Sequence, residues 1–236
     1  MRQAGKVVAQ VLELLVKSIK AGMKTKELDE LAATELKRLG AGAAFKGYRG
    51  FPSTVCISIN DQIVHGIPGE REIKEGDIVS LDIGSIVKGF YGDAAITEVA
   101  GKASPEAEKL VETTREALKE GIKKAHCGAR LGDVSAAIQK YAESKGYSVI
   151  REYTGHGIGR EMHEEPQVPN FGEPGDGPVL KKGMVIALEP MLTTGDWRTR
   201  VDKDLWTVCT ADGSLSAHFE HAIAITDSEP EVLTVR

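Results

Sequence analysis

The chain has 236 residues and a formal net charge of −5, with 41% hydrophobic and 28% charged residues. This composition excludes a disordered chain, and the length is sufficient to bury a core without disulfides or a structural metal. The small acidic excess and the lack of a polybasic run argue against a nucleic-acid partner or a membrane-surface role.

Helical periodicity predicts four helices. The apolar stripe of the first helix consists of Val8, Leu12, Leu15 and Ile19. Polar residues interrupt that stripe, which is typical of an amphipathic core helix and not of a signal peptide or a membrane span. The second helix is predicted to begin with Thr25 as N-cap and to end at Gly40. The third opens with Ser104 and Pro105, and the fourth ends at Gly146.

Strand-like stretches follow each pair of helices. Their sequences are TVCISI, DIVSLDIG, GFYGDAAITEV, MVIALEP, LWTVCT and HFEHAIAIT. We predict a hairpin between 78–83 and 90–97 that turns at 87–88, and a second hairpin around Asp212 and Gly213.

The chain also resembles itself at long range. GDIVSLD at 76–82 matches GMVIALE at 183–189, and HGIP at 65–68 matches HEEP at 163–166. We therefore predict one domain over 1–236, built from two related halves at about 1–103 and 104–236. The order of elements favours an α+β fold in which helices back a largely antiparallel sheet, with a cleft where the halves meet.

Two carboxylates in the first predicted hairpin suggest a metal site. With that turn, Asp82 and Asp93 lie opposite each other on one face, with Cβ atoms ~4.5–5.5 Å apart. Both could simply lie on a solvated strand face. The apolar run around Asp82 and the small residues around Asp93 favour burial instead. A buried, unpaired carboxylate pair is destabilising, and a divalent cation is the simplest counter-charge.

The second half adds further candidate ligands. Glu189 ends an apolar strand, Glu220 precedes another, and His156 lies between glycines in TGHGIG. Taken singly, these could be a solvated strand end or a turn histidine. Together the four carboxylates carry −4, which two divalent cations would neutralise, and oxygen ligands with one imidazole suit Mn²⁺, Fe²⁺ or Co²⁺. Two such ions would suit hydrolysis. His65 and His163 fit hydrogen-bonding or proton-transfer roles.

The motifs SINDQIVHGIP, YGD, GHGIGREMHEEPQV, ALEPM and SLSAHFEHAI occur in this order. With this spacing the chain resembles the type I methionine aminopeptidases of the pita-bread (creatinase/aminopeptidase) superfamily over nearly its whole length. The resemblance implies two pseudo-symmetric α/β halves around a curved, largely antiparallel sheet. It also implies hydrolysis of the N-terminal methionine from nascent proteins and peptides whose second residue is small.

The same resemblance assigns metal ligands. It implies that Asp82 and Asp93 bind one divalent ion, and that Asp93, His156, Glu189 and Glu220 bind the other. Asp93 and Glu220 would bridge the two ions, which would be Co, Mn, Fe or Zn.

The resemblance also assigns the substrate contacts. Glu189 would accept the proton of the attacking water, His163 would contact the scissile amide, and His65 would stabilise the developing oxygen or the leaving group. An apolar slot for the methionine side chain would be formed by Tyr48, Phe51, Cys56, Met162 and Trp206. Each of these five could also be plain core. Phe45 stands where bacterial relatives often carry a smaller residue.

Two other functions compete with this one. An Xaa-Pro aminopeptidase or prolidase would share the fold but usually carries a large N-terminal domain, which we do not expect here. A non-catalytic binding protein of the same fold would typically lack some of the five ligands. Three widely spaced cysteines without a CxxC pair favour a reducing compartment, so we expect a cytoplasmic protein. We further expect a monomer that acts on nascent polypeptides, and the family resemblance adds the ribosome as a partner.

Overall fold

The computed structural model describes residues 1–235. Its helices are α1 (Arg2–Ser18), α2 (Thr25–Arg38), α3 (Pro105–Ile122) and α4 (Leu131–Ser144), with a short 3-10 turn at Tyr48–Gly50. Within the described residues the strands are β1 (Gly42–Ala43), β2 (Cys56–Ile59), β3 (Gln62–Val64), β4 (Ile78–Val87), β5 (Phe90–Val99), β6 (Ser148–Val149), β7 (Gly155–Gly157), β8 (Glu164–Val168), β9 (Val185–Leu188), β10 (Met191–Thr193), β11 (Thr199–Val201), β12 (Val208–Thr210), β13 (Ser216–His218), β14 (His221–Ala224) and β15 (Glu231–Val232). None of the helices in residues 1–235 is both long and apolar enough to cross a bilayer.

The strands confirm the predicted α+β class. Every strand pair recorded among residues 1–235 is antiparallel. The first large sheet has the order β1-β4-β2 with β5 paired to β4, and the second has the order β15-β14-β9-β7-β8. Two smaller sheets, β13-β10-β6 and β11-β12-β3, join them. α1 and α2 cover the core beneath the first large sheet, and α3 and α4 cover the second.

Helix starts follow the predicted capping chemistry with one correction. The Ser104 hydroxyl accepts the Ala107 N–H at 3.2 Å and caps α3. Thr25, however, is not the N-cap of α2. Lys24 holds that position, and the buried Thr25 hydroxyl donates to the Gly69 carbonyl and accepts the Gly69 N–H instead. The hydrogen bonds of the Thr25 hydroxyl to Gly69 thus occupy the group that would otherwise cap α2.

The β4–β5 hairpin has a different register from the predicted one. Its two-residue turn is Lys88-Gly89, and both residues have positive φ, as a type I′ turn requires. Asp82 therefore lies opposite Ala95, and Asp93 lies opposite Gly84. The two carboxylates share a face but are diagonal neighbours, with Cα atoms about 7–8 Å apart and not directly opposed. The diagonal leaves more space for an ion between them.

The predicted hairpin around Asp212 and Gly213 does not form. β12 pairs with β11 and β3, whereas β13 pairs with β10. The predicted single strand HFEHAIAIT is likewise interrupted between β13 and β14 at Phe219 and Glu220. The interruption places Glu220 against β5: its N–H donates to the Ala95 carbonyl at 2.9 Å, and the Ala95 N–H donates back at 3.4 Å.

Matching contacts occur at the start of α2 and of α4. The Lys24 N–H donates to the Glu27 carboxylate at 2.7 Å, and the Arg130 N–H donates to the Asp133 carboxylate at 2.9 Å. Glu27 and Asp133 occupy the same position in the first turn of their helices. The division into two related halves remains a prediction, which these matching caps support.

Candidate active site

One cavity contains all of the residues singled out from the sequence. Its walls consist of Phe45, Tyr48, Arg49, Phe51, Cys56, Val64, His65, Asp82, Asp93, His156, Met162, His163, Glu189, Trp206 and Glu220. The cavity thus includes the five predicted metal ligands, both predicted catalytic histidines and the five residues of the predicted slot. Arg49 and Val64 were not predicted.

The metal-ligand candidates come from strands of both large sheets. Asp82 lies on β4 and Asp93 on β5, whereas His156 lies on β7. Glu189 directly follows β9, which pairs with β7, and Glu220 is fastened to β5 by the backbone hydrogen bonds at Ala95. Their convergence is therefore set by backbone pairing.

Two of the carboxylates and one imidazole surround a common point. Asp93, His156 and Glu220 each place a ligand atom within 4.8 Å of the others. The His156 Nε2 atom lies 3.8 Å from both Asp93 Oδ2 and Glu189 Oε1. Asp82 and Glu189 line the same cavity but lie outside this group of three.

A backbone contact sets the tautomer of His156. Its Nδ1 atom lies 2.8 Å from the Gly157 carbonyl oxygen, which can only accept a hydrogen bond, so Nδ1 carries the proton. Burial lowers the pKa of His156, which keeps the ring neutral. The Nε2 lone pair then points toward the carboxylates, the arrangement found in metal-binding histidines.

The carboxylates lack counter-charge. Burial, followed by the charges of neighbouring carboxylates, raises the pKa of Asp82, Glu189 and Glu220 well above the usual range. Burial also raises the pKa of Asp93 to about 7. No lysine or arginine among residues 1–235 forms an ion pair with these four groups.

Several oxygens of this cluster have no hydrogen-bond partner within the described chain. They are Asp82 Oδ1, Asp93 Oδ1 and Glu220 Oε1. Buried acceptors without donors are costly, and acceptor-only carboxylates beside an imidazole lone pair are a donor set for a divalent cation. The residues therefore fit a divalent metal site.

His163 is oriented by Tyr48. The tyrosine hydroxyl lies 2.9 Å from His163 Nδ1, and the two rings stack with centroids 5.4 Å apart. Burial lowers the pKa of His163 to about 4, so the ring is neutral near pH 7. If the hydroxyl donates to Nδ1, Nε2–H remains available to a substrate. The ring centroid of His163 lies 4.3 Å from that of His156.

His65 lines the same cavity in a strained conformation. Its φ is 61°, in the left-handed region that is rare for residues other than glycine. Edge contacts to Tyr153 and Trp206 hold the ring, and burial lowers its pKa. A neutral His65 offers one N–H to a ligand. Such strain at a cavity wall is typical of functional sites.

An apolar slot adjoins the carboxylates. Phe45, Phe51, Cys56 and Met162 form a buried cluster, with Tyr48 and Trp206 packed against it. Gly84 lets the slot residues pack closely against β4, because a Cβ atom there would lie 2.8 Å from Phe45 Cε1 and 3.1 Å from the Met162 methyl group. Phe45 lines the cavity as well, so its ring sets the width of the slot.

The family comparison covers almost the entire chain. A model described as metallopeptidase family M24 matches residues 1–227. The methionine aminopeptidase of Clostridium acetobutylicum is 51% identical over 236 residues, which span 100% of this chain and 94% of that protein. Methionine aminopeptidase 1 of Bacillus subtilis is 49% identical over 234 residues, or 99% of this chain and 94% of that protein.

Solved structures agree. A crystal structure of methionine aminopeptidase from Thermotoga maritima superimposes with a TM-score of 0.99 at 48% identity and covers 100% of this chain and 95% of that one. The prolidase from Pyrococcus furiosus gives a TM-score of 0.81 at 22% identity, covering 100% of this chain and 63% of that one. At that identity the prolidase supports the fold alone.

Proposed function

The chain belongs to the methionine aminopeptidases of metallopeptidase family M24, and we propose that it hydrolyses the N-terminal methionine from peptides and nascent proteins whose second residue is small. The observation that carries the proposal is one cavity in which four buried carboxylates and a tautomer-fixed histidine adjoin an apolar slot. The cluster would bind the metal and the slot would bind the methionine side chain.

Asp82, Asp93, His156, Glu189 and Glu220 are the proposed ligands of two divalent ions. Four carboxylates match the charge of two such ions, and the oxygen-rich donor set suits Mn²⁺, Fe²⁺ or Co²⁺, with Zn²⁺ as a further candidate. When bound, the ions would lower the pKa of a water and polarise the scissile carbonyl.

Glu189 is the proposed proton acceptor. Burial raises the pKa of its carboxyl in the metal-free protein, and a carboxylate at this position beside the cluster can take the proton of the attacking water. Its Oε1 atom faces His156, whereas Oε2 faces away from that ring toward His218 at 3.9 Å. The same carboxylate then delivers the proton to the departing amine.

His65 and His163 act on the substrate as neutral hydrogen-bond donors. The Tyr48 hydroxyl lies 2.9 Å from His163 Nδ1, and with that hydroxyl as donor His163 carries Nε2–H, which would contact the scissile amide. His65 donates to the developing tetrahedral oxygen or to the leaving nitrogen. A donor that is already oriented lowers the barrier because no reorganisation is needed during the reaction.

Apolar contacts select methionine. The slot is lined by Phe51, Cys56 and Met162, and the Trp206 ring packs edge-to-face on Phe51 at 5.2 Å. An unbranched thioether fills such an irregular slot and contacts aromatic rings favourably. Charged or branched first residues would lose these contacts.

The discriminating experiment compares cleavage of Met-Ala-Ser with cleavage of a Gly-Pro peptide, in Mn²⁺ and after chelation. We expect methionine release from Met-Ala-Ser that depends on the metal, and no cleavage of the Gly-Pro peptide. A Glu189→Gln variant controls for contaminating peptidases, because it should be inactive while keeping its fold. Preferential Gly-Pro cleavage would assign the chain to the prolidase group.

The proposal extends to the setting of the reaction. Nascent chains carry the N-terminal methionine on which the enzyme would act, so the cytoplasm and the ribosome are the proposed setting. The monomeric state is a separate part of the proposal, supported by the net charge of −5. Sedimentation with and without ribosomes tests both the association and the oligomeric state.

A further inference from the structure

A second buried histidine lies beside the cluster. His218, at the end of β13, is 1% exposed. Neither of its ring nitrogens has a hydrogen-bond partner within residues 1–235. Burying an unpartnered polar group is unfavourable, whereas an apolar side chain of similar size would carry no such penalty. Packing therefore does not explain this residue.

The carboxylate beside this ring belongs to a proposed metal ligand. His218 Nε2 lies 3.9 Å from Glu189 Oε2, while the other oxygen of that carboxylate, Oε1, faces His156 at 3.8 Å. Each oxygen of Glu189 thus has its own imidazole. The distance to His218 is longer than a hydrogen bond, and a small side-chain rotation or one bridging water would be needed to close it.

The backbone of His218 is clamped in this position. The Thr97 hydroxyl donates to the His218 carbonyl at 2.6 Å and accepts the His218 N–H at 2.9 Å. Ser80 Oγ lies 2.8 Å from the same hydroxyl on the neighbouring strand. Because Thr97 and Asp93 lie on one face of β5, the strand that carries a metal ligand also fixes His218.

We propose that His218 is a positioning residue that donates Nε2–H to Glu189 Oε2, directly or through one water, and so reserves Oε1 for the metal and the proton. The ring is buried and both of its nitrogens lack a partner among residues 1–235, and an imidazole carries at least one N–H in either protonation state. This role rests on the function proposed above for Glu189. Contacts of this kind orient metal ligands, and their loss typically weakens metal binding 10–100-fold.

The test compares His218→Leu, which has no donor, with His218→Gln, which keeps one. Mn²⁺ affinity is measured by titration calorimetry of the chelated protein, and the thermal midpoint of the metal-free protein is measured separately. We expect His218→Leu to bind Mn²⁺ about 10–100-fold more weakly. Its metal-free midpoint should be equal to or above that of the wild type, because an orphaned imidazole has been removed. His218→Gln should retain affinity within about threefold, since one N–H is enough.

Turnover of Met-Ala-Ser gives a further readout. Since Glu189 accepts the proton, His218→Leu should lower kcat in saturating Mn²⁺ and leave KM near the wild-type value. His221→Leu is the matched control, because the His221 ring is hydrogen-bonded to Thr234 at 2.8 Å. That variant should lose thermal stability but keep its Mn²⁺ affinity.

Unchanged Mn²⁺ affinity in His218→Leu would overturn the proposal. Equal weakening of Mn²⁺ binding in the Leu and Gln variants would also overturn it. The same holds if the metal-free His218→Leu protein is less stable than the wild type or does not fold, because each of these results indicates a packing role. If the wild type binds Mn²⁺ but releases no methionine, the proposed function fails, and the affinity measurements still decide the role of His218.

Discussion

Replacing Asp93 with asparagine should change stability in opposite directions with and without metal. In the metal-free protein Asp93 is a buried carboxylate whose Oδ1 has no partner among the described residues. Asparagine has nearly the same shape and no charge. The substitution therefore removes an unfavourable charge from the metal-free protein and a ligand from the metal-loaded one.

The magnitude follows from the pKa of Asp93. Burial raises that pKa from 3.8 to about 7. A carboxyl whose pKa is higher in the folded protein stabilises the fold fully only below pH 3.8, and that contribution is lost as the pH rises to about 7. At pH 8 the loss corresponds to about 4 kcal/mol. In a chain of this size, about 4 kcal/mol corresponds to roughly 8–16 °C in thermal midpoint, which is the upper limit for Asp93→Asn.

Calorimetric unfolding at pH 8 measures the effect. At this pH the buried histidines are neutral in both the folded and the unfolded state, so their lowered pKa values do not contribute. We expect Asp93→Asn to raise the midpoint in EDTA and to lower it in saturating Mn²⁺. Glu173→Gln, which removes an exposed carboxylate, should change neither midpoint appreciably. An Asp93→Asn protein that is less stable than the wild type in both conditions would refute the electrostatic reasoning.

Three further substitutions test separate parts of the site. His163→Ala should lower kcat ~10²–10³-fold, as expected for the loss of one transition-state donor, while the bound metal measured by mass spectrometry stays constant. Loss of the metal would instead show that His163 is a ligand. Leu205 is 83% exposed, and its backbone is strained because its φ is 64°. Leu205→Gly should therefore raise the free energy of unfolding, measured in urea, by about 1 kcal/mol, and a loss of stability would contradict this. Gly84→Ala should raise KM for Met-Ala-Ser at least about tenfold, because the new methyl group displaces the Phe45 ring and so narrows the slot. An unchanged KM would show that the methionine binds elsewhere.

Local chemistry made much of the architecture predictable. The Ser104 cap followed by Pro105 is a signal contained within a few residues, and it marks the start of α3 as expected. The alternation along β4 and β5 likewise placed Asp82 and Asp93 on one face. What local patterns could not supply was the register, because a turn at Lys88-Gly89 and a turn one residue earlier fit the same alternation. The glycine at the second turn position was the available signal.

Interactions between distant segments were harder to predict. Thr25 has the chemistry of an N-cap, but its hydroxyl binds Gly69 instead. His218 has no sequence setting that distinguishes it from a core histidine, because Glu189 and Thr97 reach it from other strands. Its only sequence signal is its position two residues before Glu220.

β5 explains why ligands from both parts of the chain meet at one point. Side chains alternate along a strand, so Asp93, Ala95 and Thr97 share one face. Asp93 provides a carboxylate, the Ala95 backbone pairs with Glu220, and the Thr97 hydroxyl clamps His218. The spacing of Asp93, Ala95 and Thr97 along β5 therefore sets the geometry of the proposed metal site. It does so through contacts that form only when the two parts of the chain are folded together.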